Sequence, residues 1–156
     1  MSANIYNLFK FLEKKKGTKT PLKVKFVYAP NELTDEDLNV EGYFDLSHTK
    51  ITSLPDNLKA GGNLDLSYTK ITSLPDNLQV GGTLYLIRTS ITSIPNNLKV
   101  GDDLNLSYSE ISSIPNNLQV GGSLFLDNTP FAKYTKEEIR KMIEDKGGYV
   151  KKDIYA

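Results

Sequence analysis

Gly62-Asn63-Leu64-Asp65-Leu66-Ser67-Tyr68-Thr69-Lys70-Ile71-Thr72-Ser73-Leu74-Pro75-Asp76-Asn77-Leu78-Gln79-Val80-Gly81 is one turn of a pattern that recurs every 20 residues between Phe44 and Phe131. Leu46, Leu66, Leu86, Leu106 and Leu126 share one phase, and Ile51, Ile71, Ile91, Ile111 and Phe131 a second. Leu54, Leu74, Ile94 and Ile114 share a third, each followed by proline. Leu58, Leu78, Leu98 and Leu118 share a fourth. Asp45 to Gly62 and Asp65 to Gly82 differ only at His48/Tyr68, Lys59/Gln79 and Ala60/Val80, so 15 of 18 positions match. A single unit of this length cannot bury its apolar side alone; stacked copies can.

Within one unit, Asn63 to Ser67 alternates polar and apolar, which predicts a short strand with Leu64 and Leu66 inward. Thr69 turns the chain, and Ile71 and Leu74 point back inside. Pro75 fixes φ and discourages a helix at Leu74. Val80 packs inward, and Gly81-Gly82 allows re-entry at close quarters. Twenty residues leave no room for a helix on the far side, so extended or 3₁₀ segments are expected there.

The flanks predict caps. Ile5, Leu8, Phe9 and Leu12 form an apolar helical stripe in Ser2 to Lys16, with Ser2 as N-cap and Gly17 as stop. Leu22, Val24, Phe26 and Tyr28 alternate with Lys23, Lys25 and Val27, a strand pattern. Beyond Phe131, Thr135-Lys136-Glu137-Glu138 is a capping box opening a helix with Ile139, Met142 and Ile143 on one face. Tyr149 to Tyr155 is expected to be a final strand with Ile154 inside. The domain reading is a cap over 1–37, repeats over 38–131 and a second cap over 132–156.

The line G-x-L-x-L-x-x-T-x-I-x-x-[LI]-P-x-x-L-x-[VA]-G resembles the leucine-rich repeat. It is most similar to the short bacterial and phage subclass found in YopM- and IpaH-type effectors. The resemblance implies an α+β solenoid with short parallel strands on a concave sheet, a non-helical convex side and helix/strand caps. It also implies a protein-binding role, that of a bacterial effector or a phage inhibitor of a host defence protein. Thr49, Thr69, Thr89, Ser109 and Thr129 stand where the family has asparagine. Their hydroxyls are expected to bond the neighbouring coil's backbone as a ladder. The catalytic cysteine of the IpaH-type ligases has no counterpart, because the chain has no cysteine.

Composition narrows the function classes. Lys plus Arg and Asp plus Glu are equal at 19 each, which disfavours a nucleic-acid stripe. Lys14, Lys15, Lys16, Lys19, Lys23 and Lys25 form a local basic run, read as a solvated cap face with nucleic acid or anionic lipid as lesser alternatives. No apolar run is long enough to span a bilayer, so no membrane partner is expected, nor any cofactor. A cytoplasmic location, in the producing cell or a host, follows from the lack of cysteine and of a signal-like start. His48, the one histidine, aligns with Tyr68, Arg88, Tyr108 and Asn128 and reads as a surface variable. Gly101-Asp102-Asp103 lacks further ligands for a cation, and the Gly-Gly pairs do not open helices as phosphate loops do. A non-enzymatic protein is the expectation, with a monomer favoured.

Outward positions on stacked strands form columns. Tyr85 and Phe125 replace Asp or Asn, and Leu86-Ile87-Arg88 replaces Leu-Ser-Tyr. Tyr85, Ile87, Arg88 and Phe125 are therefore the predicted anchors of a partner-binding patch. Tyr68, Tyr108, Asp65 and Asn105 are expected to surround them. Self-association and nucleic-acid binding through the N-terminal lysines are the alternatives.

Overall fold

The computed structural model describes the backbone of residues 2–156 and the side chains of residues 5–156. Each 20-residue unit is one coil with two short strands on opposite sides. One sheet comprises β2 (Phe44–Asp45), β4 (Leu64–Asp65), β6 (Leu84–Tyr85), β8 (Leu104–Asn105), β10 (Leu124–Phe125) and β12 (Ile154–Tyr155). The other comprises β1 (Asn39–Val40), β3 (Lys59–Ala60), β5 (Gln79–Val80), β7 (Lys99–Val100), β9 (Gln119–Val120) and β11 (Tyr149–Val150). Every pairing is parallel and in register by one coil, as with Leu64 opposite Leu84 and Val80 opposite Val100.

Within each sheet, parallel pairing runs hydrogen bonds between successive coils in both directions. At the edges of the strands the Leu64 amide donates to the Thr83 carbonyl of the next coil at 2.9 Å, and the Gly101 amide to the Val80 carbonyl of the preceding one at 2.9 Å. This pairing satisfies the strand backbone groups that flank a buried core. The core is one continuous file. Leu46, Leu66, Leu86, Leu106 and Leu126 are buried, as are Ile71, Ile91 and Ile111 and the residues before each proline. Burying each such side chain contributes about 1.5–3 kcal/mol. At the turn into each coil the backbones meet directly: a Cβ at Gly101 would run into the carbonyl oxygen of Gly81.

The expected non-helical far side is present, and it is more ordered than extended or 3₁₀ chain: it is the second sheet. Its strands carry a weaker sequence signal than Asn63 to Ser67, because the alternation around Gln79-Val80 runs straight into Gly81-Gly82. The threonine ladder is overturned. Thr49, Thr69, Thr89 and Thr129 each donate to the carbonyl three residues back within their own coil, for example Thr69 Oγ1 to Leu66 at 2.6 Å. The asparagines after the prolines do link coils. Asn117 Nδ2 donates to Asn97 Oδ1 at 3.0 Å, and Asn77 bonds Asn57.

Residues 22–28 correct a second expectation. They form helix α2 (Leu22–Tyr28), following α1 (Ser2–Lys16). The alternation of apolar residues suggested a strand, but Leu22 and Phe26 are also one helical turn apart. Phe26 is the buried residue of α2 and meets Phe44 edge-on at 5.0 Å. Pro21 at the N-cap position accepts from Val24 and Lys25 and starts the turn. The expected N-cap role of the Ser2 side chain lies outside the described residues.

At the other end, α3 (Lys136–Glu144) carries both halves of the capping box between Thr135 and Glu138. Gly147, at φ 77°, leaves the helix in the left-handed region that favours glycine. The expected single last strand is two: β11 and β12 extend both sheets, with Ile154 buried as expected.

Candidate functional site

Register places Asp45, Asp65, Tyr85, Asn105, Phe125 and Tyr155 side by side in one column. In three coils the polar residue here does a local job. Asp45 Oδ1 accepts from the Ser47 amide at 2.8 Å and its hydroxyl at 2.6 Å. Asp65 accepts from the Ser67 amide at 2.8 Å, and Asn105 from the Ser107 amide at 3.0 Å. These are Asx turns that secure the corner after each strand. The Ser47 hydroxyl, its amide and nearby Lys23 hold the Asp45 carboxyl below its ordinary range, against the effect of burial. Asp65 and Asn105, expected at the rim of a binding patch, are thus also parts of the corner.

Tyr85 and Phe125 cannot make that turn. Phe125 is compensated: its ring stacks on Tyr155 at 4.7 Å with the planes 10° apart. Tyr155 was missed from the sequence because β12 belongs to no repeat. Tyr85 has no stacking partner among the described residues, and it is half-buried. One residue pair further on, Ile87 stands where Ser47, Ser67 and Ser107 stand in other coils. Ser107 Oγ donates to Asp127 of the next coil at 3.3 Å. Ser67, whose next-coil neighbour is Ile87, has the one buried side-chain polar atom without a partner among the described residues. An unsatisfied buried hydroxyl costs about 1–3 kcal/mol.

The next column is a ladder. His48 and Tyr68 stack at 4.4 Å, and Arg88 lies 5.8 Å from the Tyr68 ring and 4.9 Å from the Tyr108 ring. Each of His48, Tyr68, Arg88, Tyr108 and Asn128 has positive φ, between 53° and 60°. A non-glycine residue there carries roughly 1–2 kcal/mol of strain. The stacking and cation–π contacts recover about 0.5–1.5 kcal/mol each. The two are comparable, so the fold gains little from these particular side chains. Tyr68, Arg88 and Tyr108 remain exposed.

The structure therefore brings Tyr68, Tyr85, Ile87, Arg88 and Tyr108 together around the third coil, with Asp65 and Asn105 flanking Tyr85. Phe125 sits one coil beyond Asn105, against the C-terminal cap. A groove of about 650 Å³ on the other side, lined by Asp76, Asn77, Gln79, Asn97 and Lys99 among others, went unnoticed in the sequence. It follows from the second sheet. Among the described residues no group of three or more His, Asp or Glu converges as a metal site. No helix among them is long and apolar enough to cross a membrane.

No family model matches the chain, no curated protein matches it, and no solved structure matches it.

Proposed function

We propose that the chain is a leucine-rich-repeat protein of the short bacterial or phage type, and that it binds a protein partner through the third-coil face of its Leu-x-Leu sheet. The family reading rests on the Leu-x-Leu strand, the Leu/Ile-Pro step and the 20-residue coil, together with the parallel solenoid they build. The function rests on one observation. The third coil forgoes the Asx turn of its neighbours at Tyr85, and its Ile87 stands beside the buried Ser67 hydroxyl and offers it no partner. Local cost without local compensation is the mark of a residue kept for another purpose. Exposed Tyr and Arg around half-buried Tyr85 and Ile87 supply the residue types that dominate interface centres. The protein would act by occupying a surface, as an effector or inhibitor does, with no chemistry of its own. Such action suits a cytoplasmic setting in the producing cell or a host.

The test restores the repeat's own rule. Tyr85→Asp with Ile87→Ser should leave the melting temperature unchanged or raise it by about 2–4 °C, by returning about 1 kcal/mol of hydrogen bonding. The same variant should lose the partner captured by the parent chain in affinity purification with mass spectrometry. Equal capture by parent and variant would reject this face as the binding site.

A further inference from the structure

Large exposed apolar side chains are unevenly distributed. Among the described residues, and apart from tyrosines, they are Ile5, Leu8 and Phe11, all on α1, at 44%, 55% and 53% exposure. An ordinary surface helix hides its apolar side, whereas α1 leaves part of its own in the open. Tyr6, Lys10 and Glu13 recur at i, i+4, i+7 and face the body of the protein. The Tyr6 hydroxyl donates to Glu32, Lys10 Nζ lies 3.0 Å from Glu32, and the Thr20 hydroxyl donates to Glu13 at 3.2 Å. Leu8 and Phe11 lie on the opposite side, while Phe9 and Leu12 are half-buried and Ile5 lines a groove with Val24, Val27 and Tyr28. Neither Phe9 nor Leu12 joins the core. The helix is held to the fold by these polar contacts and by half-buried Phe9 and Leu12, and it presents Leu8 and Phe11 outward.

The basic run continues that stripe. Lys23 pairs with Asp45 at 3.3 Å and Lys25 with Asp37 at 2.9 Å, so part of the run is internal to the cap. Lys14, Lys15, Lys16 and Lys19 make no ion pair among the described residues. Lys15 lies 4.9 Å from the Phe11 ring, its stem beside the apolar stripe.

We propose that α1 is an interfacial anchor that lays Leu8 and Phe11, with Ile5 at their edge, into an anionic lipid surface, with Lys14, Lys15, Lys16 and Lys19 against the headgroups. An apolar stripe ended by cations is the composition of helices that lie in that plane. At 15 residues α1 is about 22 Å long, suited to lying on a bilayer rather than crossing it. The expectation of no membrane partner rested on the absence of a spanning segment, which surface binding does not need. A nucleic acid would meet the lysines and leave the apolar stripe in water. A second copy would meet the stripe but offer the lysines no acid from its own α1, whose Glu13 is already engaged.

The experiment is flotation of the full chain with phosphatidylcholine vesicles, with or without about one third phosphatidylserine. Binding to the anionic vesicles alone is expected. Leu8→Glu with Phe11→Glu should abolish flotation and leave the melting curve unchanged. Lys14→Gln, Lys15→Gln and Lys16→Gln should each weaken partitioning about fivefold. A Phe11→Trp reporter should shift its fluorescence to the blue on anionic vesicles. Absent flotation, undiminished flotation of the double glutamate variant, or a lowered melting temperature in that variant would each overturn the proposal. So would self-association lost in that variant while vesicles remain unbound, which would make the occupant a second copy.

Discussion

At the C-terminal end, α3 buries Ile139 and Ile143, Arg140 donates to the carbonyls of Val150 and Lys152 at 2.7 Å each, and both sheets gain a strand. At the N-terminal end only one sheet gains a strand, β1, and the other stops at β2. There α2 contributes Phe26 to the core, while α1 adds polar bonds and no buried residue from Ile5 onward. Both ends close the same kind of solenoid, yet α3 is welded by burial and α1 is tethered mainly by polar contacts. The lesson concerns what a cap must do. Covering the last coil needs a few well-placed apolar residues, and a helix beyond those is released for other work.

The strongest way to break the comparison is to place one charge at each end. Ile143→Asp leaves a carboxylate unpaired in the core and should cost about 3–5 kcal/mol, lowering the melting temperature by about 8–15 °C. Leu8→Asp should leave it within about 1 °C. Comparable losses in a thermal melt would mean that α1 is as much a part of the fold as α3.

Phe26→Ala sharpens the difference inside the N-terminal cap. Removing the ring that meets Phe44 should cost about 3 kcal/mol. Hydrogen exchange should show faster amides in α2 and β2, with β10 and β12 unaffected. Uniform acceleration along the chain would show the solenoid unfolding as a single unit rather than from its end.

The smallest effect is acid release. Four carboxyls near the N-terminal end are held below their ordinary values of 4.5 for Glu and 3.8 for Asp. The Thr20 amide does this for Glu13, and the Tyr6 hydroxyl with Lys10 for Glu32. Burial pulls Asp37 upward, but Lys25 and Thr34 outweigh it; for Asp45 the Ser47 hydroxyl dominates. Lowered carboxyl pKa values add stability above the unfolded-chain values, and that stability fades as pH falls through the lower folded ones. Exchange protection in α1 and α2 should therefore drop below about pH 4 before that of β10 and β12. Simultaneous loss at both ends would contradict the tether.

The coil was legible because its period repeats the same constraint five times: Leu64, Leu66, Ile71, Leu74 and Leu78 each had four or more witnesses. The caps had one witness each. Residues 22–28 fit two periods over seven positions, and only the tertiary partner, Phe44, decides between them. The second sheet was hidden because the alternation around each of its repeat strands is cut short by a following glycine, as at Gln79-Val80-Gly81. Of the candidate surface, the departures at Tyr85, Ile87 and Arg88 were visible as departures. Their cost was not, since the Asx turn and the stranded Ser67 hydroxyl are relations between side chain and backbone. Phe125 had the same sequence signal as Tyr85, and only Tyr155, outside the repeat, separates them.

The corner shared by His48, Tyr68, Arg88, Tyr108 and Asn128 sets a limit on how this surface can diversify. A left-handed backbone excludes Val, Ile and Thr, whose branched Cβ collides there, and tolerates Asn, Gly or an unbranched side chain. A change of side chain at this column must therefore draw on a restricted alphabet of aromatic, amide and long basic residues. The geometry of one turn, copied five times, thus biases the vocabulary available to the whole face.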